Sequence, residues 1–214
     1  MKTISAVVFV FIGLLICLSI CCSPLAAQTA SQEFPNFGRW ELGVLAGGGA
    51  ALSSESDAQF AFAGGRIGRV VTRPSWNGWT RGELEIAVDV LPLYTVSTSI
   101  WTTYGGSFKP LDAQWNFTQE NHKVVPFVAA AGGILFTNRA IPPGYSVFPQ
   151  SPPGPTSQVN FTPQLDMGVR VFRQPKRAIL LEADLVHHSS AGLGRFNPGY
   201  PLSLFFTMGY SWYK

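Results

Sequence analysis

A histidine that lies two positions before a serine is the residue pair in this chain best suited to chemistry. His187 and Ser189 fall in the run His187–Leu193, which holds two of the three histidines of the 214-residue chain. An imidazole close to a hydroxyl group can take its proton and turn the oxygen into a nucleophile. The pattern predicts a serine nucleophile with its base. Because His-x-Ser is a common pattern, ordinary polar surface residues remain the alternative.

The segment before this pair predicts how the two side chains are presented. Ile179, Leu181, Ala183 and Leu185 alternate with Leu180, Glu182, Asp184 and Val186, which is the period of two that β-strands show. In a strand, residues two apart share a face, with Cα atoms roughly 6.5 Å apart. His187 and Ser189 therefore share the face of Leu181 and Leu185, whereas His188 falls on the opposite face.

The same period of two recurs along the chain and predicts an all-β fold. It appears in eight stretches, approximately 40–47, 59–72, 83–90, 111–118, 124–138, 161–171, 179–186 and 203–212. No convincing helix pattern interrupts them. Eight strands of this kind form either a soluble β-sandwich or a closed membrane barrel.

The two faces of these strands favour the barrel. One face carries long aliphatic and aromatic side chains, as in Leu84, Ile86 and Val88. The other carries glycines and most of the charges, namely Glu41, Glu83, Glu85, Asp89, Asp112, Asp166, Arg170, Glu182 and Asp184. We therefore predict an eight-stranded antiparallel transmembrane β-barrel whose inward charges pair with one another and with Arg66 or Arg81. A secreted soluble β-protein that binds an apolar ligand is the alternative.

The N-terminal segment predicts export. Lys2 is followed by the apolar stretch Val7–Ile20 and by Leu25-Ala26-Ala27, the pattern of a signal peptide over residues 1–27. A lipoprotein signal ending at Cys21 is a weaker alternative, because Ile20 is bulky. The barrel domain would span residues 28–214. All three cysteines lie before residue 28, which argues against disulfides, a thiol enzyme and a cysteine metal site.

Composition excludes several other functions. Charged residues make up 13% of the chain and the formal net charge is +3, which is too small to suggest a nucleic-acid partner. We find neither a glycine-rich phosphate loop nor a metal-ligand spacing. The sequence therefore predicts no cofactor and no metal site.

The lengths of the connections predict the orientation of the barrel. Barrels of this type have short periplasmic turns and longer external loops. The connections Arg73–Gly78, Gln119–Lys123 and Arg173–Arg177 are short, whereas Leu52–Ala58, Ser97–Gly105 and Asn138–Ser157 are mostly longer. Both termini then face the periplasm. His187 and Ser189 fall at the external end of the seventh strand, at the outer leaflet, where lipopolysaccharide resides.

The run His187–Leu193 with Asn197-Pro198-Gly199 resembles the lipid A 3-O-deacylase family of outer-membrane enzymes. The similarity extends to Gly38–Gly43, Leu84–Pro92, Leu135–Arg139, Asn160–Gln164 and Gly209–Trp212. The resemblance implies hydrolysis of the ester-linked acyl chain at the 3-position of lipid A, in the outer membrane, without a cofactor. It also implies that Ser189 is the nucleophile and His187 the general base. In the family an Asn directly after the serine helps to form the oxyanion hole; here the hydroxyl or backbone N–H of Ser190, together with the N–H of Gly192, would donate instead.

Two departures from the family pattern leave an alternative open. Ser190 stands where the family has Asn, and Pro201 stands where the best-studied pattern places the Glu that orients the histidine. Asn197 or Ser203 would then hold the ring of His187. The alternative function is a catalytically weak or inactive structural or interaction barrel of the outer membrane.

Overall fold

The computed structural model describes residues 38–52, 56–99, 101–118, 123–142, 156–193 and 199–214. These residues lie in one compact unit. The predicted signal peptide, residues 1–27, and the candidate orienting residue Asn197 lie outside the described residues.

The described part of the chain is built of antiparallel strands. They are β1 (Trp40–Ala51), β2 (Gln59–Val70), β3 (Gly82–Ser97), β4 (Thr102–Phe117), β5 (Val124–Ile141), β6 (Ser157–Phe161), β7 (Gln164–Gln174), β8 (Arg177–His188) and β9 (Tyr200–Tyr213). A single 3-10 turn, Gly78–Thr80, lies between β2 and β3. Within the described ranges, no helix has the length and apolar character needed to cross a membrane.

The strands close into a barrel of eight. Neighbours from β1 to β5 pair in chain order, β5 pairs with β6 and β7, β7 pairs with β8 and β8 with β9, and β9 returns to pair with β1. The segments β6 and β7 both pair with β5 and keep one register against β8, with Phe161 opposite Ser189 and Gln164 opposite Val186. They are therefore two parts of one barrel strand, interrupted at Thr162 and Pro163. This architecture confirms the predicted fold class.

The two faces of the wall have opposite polarity, as predicted. Outward positions hold exposed apolar side chains such as Trp40, Leu42, Val44, Leu165 and Met167. All the charged residues predicted to face inward are buried, with relative exposures of 0 to 7%. A closed barrel with an apolar exterior and a charged interior is a transmembrane β-barrel, because lipid can neither solvate charges nor hydrogen-bond a free strand edge.

Two arginines organise the charges inside the barrel. Arg170 contacts Glu41 and Glu85 through its two terminal nitrogens, each at 2.9 Å. Arg66 pairs with Asp89, with Nε 2.8 Å from Oδ1, and it also contacts Asp112. The low-polarity interior makes each pair strong but also makes an unpaired charge expensive.

The second predicted basic partner, Arg81, does not join this network. Its guanidinium is half-buried at the end of the barrel and lies 3.4 Å from the carbonyl oxygen of Thr118. Lys109 contributes instead, with Nζ 3.0 Å from Asp89 Oδ2. Arg81 precedes β3, where the alternation of the strand has not yet begun, so parity did not predict its direction.

The structure corrects two of the expected connection lengths. The connection between β2 and β3 covers residues 71–81 and includes the 3-10 turn, so it is not short. The connection between β3 and β4 is only residues 98–101. The longest connection joins Ile141, where β5 ends, to Ser157, where β6 begins; these two strand ends and the end of β8 lie at the end of the barrel opposite the termini.

Replacing Arg170 with Met should strongly destabilise the barrel. The substitution leaves Glu41 and Glu85 buried without their counter-charge, which costs about 3–5 kcal/mol when one partner of a buried ion pair is removed. Urea titration of the folded protein in detergent micelles measures this change. Arg139→Met, at an exposed position, is the matched control and should change stability by less than about 0.5 kcal/mol. Equal stability of the two variants would contradict the network.

Candidate functional site

His187 and Ser189 lie together on the outer face of the wall, at the end of β8 opposite the termini. His187 is exposed and Ser189 half-buried. The interrupted strand β6–β7 holds their backbone on one side. The His187 N–H donates to the carbonyl of Pro163 at 3.0 Å, and Ser189 exchanges two backbone hydrogen bonds with Phe161, at 2.7 and 3.1 Å. The predicted shared outward face of the pair is therefore confirmed.

A β-bulge holds the other side of the pair. Val186 lies opposite Ser203 and His188 opposite Tyr200, so Pro201 and Leu202 together face the single residue His187. Both bulge residues are exposed. Proline has no N–H to give to a strand ladder and is tolerated at bulges. The bulge turns the backbone of β9 so that a carbonyl group points at the histidine.

That carbonyl group fixes the protonation pattern of the His187 ring. Nδ1 of His187 lies 2.8 Å from the carbonyl oxygen of Pro201. A carbonyl oxygen only accepts hydrogen bonds, so Nδ1 must carry the proton and donate it. In the neutral ring, Nε2 is then the nitrogen with a free lone pair. This tautomer is the one that a general base needs.

A tight turn directly after Ser189 positions its hydroxyl group. The Ala191 N–H donates to Ser189 Oγ at 3.1 Å. The Leu193 N–H donates to the carbonyl of Ser190 at 2.9 Å, and the two central residues have positive φ, 48° at Ala191 and 82° at Gly192. A left-handed conformation at a non-glycine residue costs about 1–2 kcal/mol and often marks a functional site.

The interior behind the site is packed with aromatic rings. His188, on the inward face, stacks on Phe60 with ring centroids 4.9 Å apart and lies edge-on to Tyr200 at 5.9 Å. Nε2 of His188 is 3.4 Å from the Tyr94 hydroxyl. This packing supports the wall from inside and separates His188 from the outward pair, so His188 belongs to the interior, as its parity predicted.

The other candidate site residues have different positions. The Ser190 side chain is buried, at 2% exposure, on the inward side, so in this conformation its hydroxyl does not face an outward oxyanion. Gly192 is exposed in the turn. Ser203 is fully buried and faces the interior, whereas His187 is exposed, so the structure does not place Ser203 at the ring. The expectation for Ser203 as an orienting residue was wrong, because inward parity takes it away from the outer face.

Sequence reasoning missed two backbone groups, the Pro201 carbonyl and the Ala191 N–H. No side-chain pattern encodes either of them. The one available signal was the proline itself at position 201, where a strand residue without an N–H indicates an edge or a bulge. By contrast, the inward directions of Ser190 and Ser203 could have been predicted from parity alone.

One cluster within the described ranges has the composition of a metal site, and it lies away from this pair. Asp166, Glu182 and Asp184 place carboxylate oxygens within 4.8 Å of one another on the inward face of β7 and β8. Gln164 Nε2 contacts both oxygens of Asp166 at 2.9 Å, and the Thr207 hydroxyl donates to Asp184 at 2.8 Å. The wall of the barrel separates this cluster from His187 and Ser189.

The fold and the outward pair define a transmembrane β-barrel with a candidate hydrolytic site on its lipid-facing surface. The family described as lipid A 3-O-deacylase (PagL) matches residues 70–210, a range that includes His187, Ser189 and Pro201. The chain belongs to this family. A search of the curated proteins finds no match.

Comparison with solved structures finds several outer-membrane proteins that are similar to this chain. The N-terminal β-barrel domain of Pseudomonas aeruginosa OprF is 12% identical, covers 84% of this chain and 100% of that domain, and has a TM-score of 0.51. The outer membrane enzyme PagL is 18% identical, covers 79% of this chain and 97% of its own, and has a TM-score of 0.46. Pseudomonas aeruginosa OprG is 11% identical over 84% of this chain and 97% of its own, with a TM-score of 0.45.

Gly199→Ala should disturb the site more than Gly192→Ala. Both glycines have positive φ, but a Cβ at Gly199 would lie 2.2 Å from the carbonyl oxygen of His188, whereas a Cβ at Gly192 meets nothing within 4 Å. We expect Gly192→Ala to cost about 1 kcal/mol and Gly199→Ala clearly more, because β9 must shift beside the bulge. Thermal unfolding followed by circular dichroism compares the two. A smaller loss for Gly199→Ala would show that the return into β9 is not tightly packed.

Proposed function

We propose that this protein is an outer-membrane esterase that removes the ester-linked acyl chain at the 3-position of lipid A, with Ser189 as nucleophile and His187 as general base. The observation that carries the proposal is the hydrogen bond between His187 Nδ1 and the Pro201 carbonyl, 2.8 Å long, beside an outward serine within the family match. It leaves Nε2 of His187 as the ring nitrogen with a free lone pair, and in this proposal that nitrogen accepts the serine proton.

The reaction proceeds through an acyl-enzyme. Nε2 of His187 takes the proton of Ser189 while Oγ attacks the ester carbonyl carbon, and the carbonyl oxygen becomes an oxyanion. The oxyanion collapses, the bond to the sugar oxygen breaks, and the imidazolium gives its proton to that oxygen. A water molecule, deprotonated by the same nitrogen, then attacks the acyl-serine. A free fatty acid leaves and Ser189 regains its proton. No cofactor and no metal take part.

Backbone N–H groups supply the oxyanion donors in this proposal. The turn Ser190–Leu193 follows the nucleophile directly, and its strained left-handed residues orient successive amides. We assign the donor role to the backbone of Ser190 and Gly192, since the Ser190 hydroxyl faces inward. A preorganised amide costs no reorganisation when the charge develops, and each donor is worth on the order of a hundredfold in rate.

The Pro201 carbonyl takes over part of the task of a triad acid. An acid holds the histidine in the correct tautomer and also balances the charge of the imidazolium. The carbonyl does the first through its hydrogen bond, but as a neutral dipole it provides only part of the second. The expected enzyme is therefore correctly oriented and slower than one with a carboxylate at this place.

The surroundings of the pair suit a lipid substrate. Phe161, Pro163 and Leu202 lie beside it on the outer face, and all three are exposed. This apolar surface would hold acyl chains while the sugar backbone lies at the headgroup level. The proposal includes export by the predicted signal peptide and a site at the outer leaflet. There, lipopolysaccharide is both the proposed substrate and the lipid that surrounds the site.

A second candidate function has its own supporting observation. The position that the family uses for the orienting acid holds Pro201, and the position after the nucleophile holds Ser190 in place of Asn. The first change removes a carboxylate, and the second replaces a side-chain amide with a hydroxyl group. A barrel that keeps the scaffold but hydrolyses lipid A weakly or not at all is the alternative.

Expression in a bacterium with 3-O-acylated lipid A should lower the mass of its lipid A by one acyl chain. Ser189→Ala and His187→Ala should abolish the change by removing the nucleophile or its base. Ser97→Ala is the matched control, because Ser97 lies at the same end of the barrel on another strand, β3. Mass spectrometry of extracted lipid A gives the readout, and heat-modifiable gel migration checks folding. Unchanged masses with folded wild-type protein would support the alternative.

Pro201→Glu should raise kcat on the order of tenfold over Pro201→Ala, with little change in KM. Pro201→Ala keeps the backbone carbonyl, whereas the glutamate adds an outward carboxylate that can balance the imidazolium charge. Initial rates on purified lipid A in mixed micelles measure both constants. A Pro201→Glu enzyme no faster than Pro201→Ala would contradict the role given to this position.

A further inference from the structure

The end of the barrel that carries both termini is strongly basic. Nine cationic residues lie there, at the strand ends and in the connections, and we call them the basic rim. They are Arg39, Arg69, Arg73, Arg81, Lys123, Arg173, Lys176, Arg177 and Lys214. Seven of them are exposed, and Arg39 and Arg81 are half-buried. They lie before β1, at the end of β2 and in the connection to β3, between β4 and β5, at the turn from β7 to β8 and after β9, so they surround the barrel rather than form one patch.

Acidic side chains do not balance this charge in the part of the chain that the structure describes. There, every Asp and Glu is buried inside the barrel except Asp57, and Asp57 lies at the opposite end. The opposite end also has one exposed cation, Arg139, among its described residues. Among the residues that the structure describes, the two ends therefore carry nine cations and one exposed cation respectively.

Tryptophans gather at the same end as the basic rim. Trp40, Trp76, Trp79 and Trp212 are exposed, and Trp115 packs against Trp76 with ring centroids 4.5 Å apart and the ring planes tilted by 39°. The Arg69 guanidinium lies 5.2 Å from the Trp40 ring centroid. Indole rings prefer the depth of the lipid headgroups, which places the neighbouring cations at the depth of the lipid phosphates.

We propose that the basic rim binds the phosphate groups of anionic glycerophospholipids in the leaflet that meets the termini end of the barrel. Each Lys or Arg near an anionic membrane surface raises the affinity of a protein for that surface about fivefold. The tryptophans favour a lipid over a soluble acidic partner, because they hold the rim within the headgroup layer. The inference rests on the barrel fold and is independent of the proposed hydrolysis.

Lipid binding at this rim would fix the depth of the barrel. The indoles resist movement toward water, and the phosphate contacts resist movement of the cations into the hydrocarbon. Because the wall is a rigid hydrogen-bonded sheet, the depth of one end sets the depth of the other. The rim would therefore also hold His187 and Ser189 at a constant height in the opposite leaflet.

Quenching of tryptophan fluorescence by brominated lipids tests this binding directly. Five of the six tryptophans lie at the basic rim, and Trp101→Phe removes the one at the other end. The Trp101→Phe protein is folded into phosphatidylcholine bilayers that contain a minor fraction of either brominated phosphatidylglycerol or brominated phosphatidylcholine. We expect the phosphatidylglycerol to quench at a several-fold lower mole fraction, and we expect this preference to shrink in high salt.

Variants at one turn supply the control. Arg173→Gln, Lys176→Gln and Arg177→Gln, combined, should remove most of the several-fold preference for phosphatidylglycerol, whereas Arg139→Gln should leave that preference unchanged. Heat-modifiable gel migration confirms folding, and the single variant Lys176→Gln, in an exposed turn, replaces the triple variant if that does not fold. Equal quenching by the two lipids, or an unchanged preference in the rim variants, would overturn the proposal. If a soluble polyanion relieves the quenching as effectively as unbrominated phosphatidylglycerol does, the rim binds a soluble acidic partner instead.

Discussion

Pairing of the first strand with the last is the constraint on which the whole molecule depends. Trp40 and Lys214 exchange backbone hydrogen bonds at 3.0 and 2.9 Å and begin the seam between β1 and β9. An open edge would leave N–H and C=O groups facing hydrocarbon without partners. Closure removes that cost, but it also divides every strand into an inward and an outward face. The position of each side chain, including those of the site, follows from that division.

The interior of the barrel holds the charged residues, whereas the site lies on the apolar outer surface. Inside, Arg66, Arg170 and Lys109 form ion pairs with buried carboxylates. The aromatic cluster around His188 then fills the end of the barrel behind the site. Charged and aromatic side chains occupy the described interior, whereas the apolar outer surface is open to a large lipid. Chemistry on this scaffold therefore depends on residues of the lipid-facing wall.

The bulge at Pro201 shows how such a wall can orient a histidine without an acid. A carboxylate on a lipid-facing surface is costly to desolvate, whereas a backbone carbonyl is already part of the sheet. The bulge frees that carbonyl from the ladder and directs it to Nδ1 of His187 at 2.8 Å. Orientation and tautomer are kept, and the negative charge is given up. The departure from the family pattern is thus an exchange of one acceptor for another.

The sequence by itself determined the barrel, the faces of its strands and the outward position of His187 and Ser189. These features follow from a period of two, which depends only on the local geometry of a strand. The inward directions of Ser190 and Ser203 were also encoded in that period. The choice of Lys109 over Arg81 as a partner in the lumen was not, because parity fails before a strand begins.

Only the tertiary structure decided what holds the histidine. The Pro201 carbonyl reaches His187 because β9 has one more residue than β8 between two paired positions, Val186 with Ser203 and His188 with Tyr200. That offset is a relation between two strands, and neither strand shows it alone. The Ala191 N–H at Ser189 likewise depends on a turn with two positive φ angles. The face on which a side chain lies can be predicted from the sequence pattern, whereas the direction of a backbone carbonyl at a bulge depends on how two strands pair.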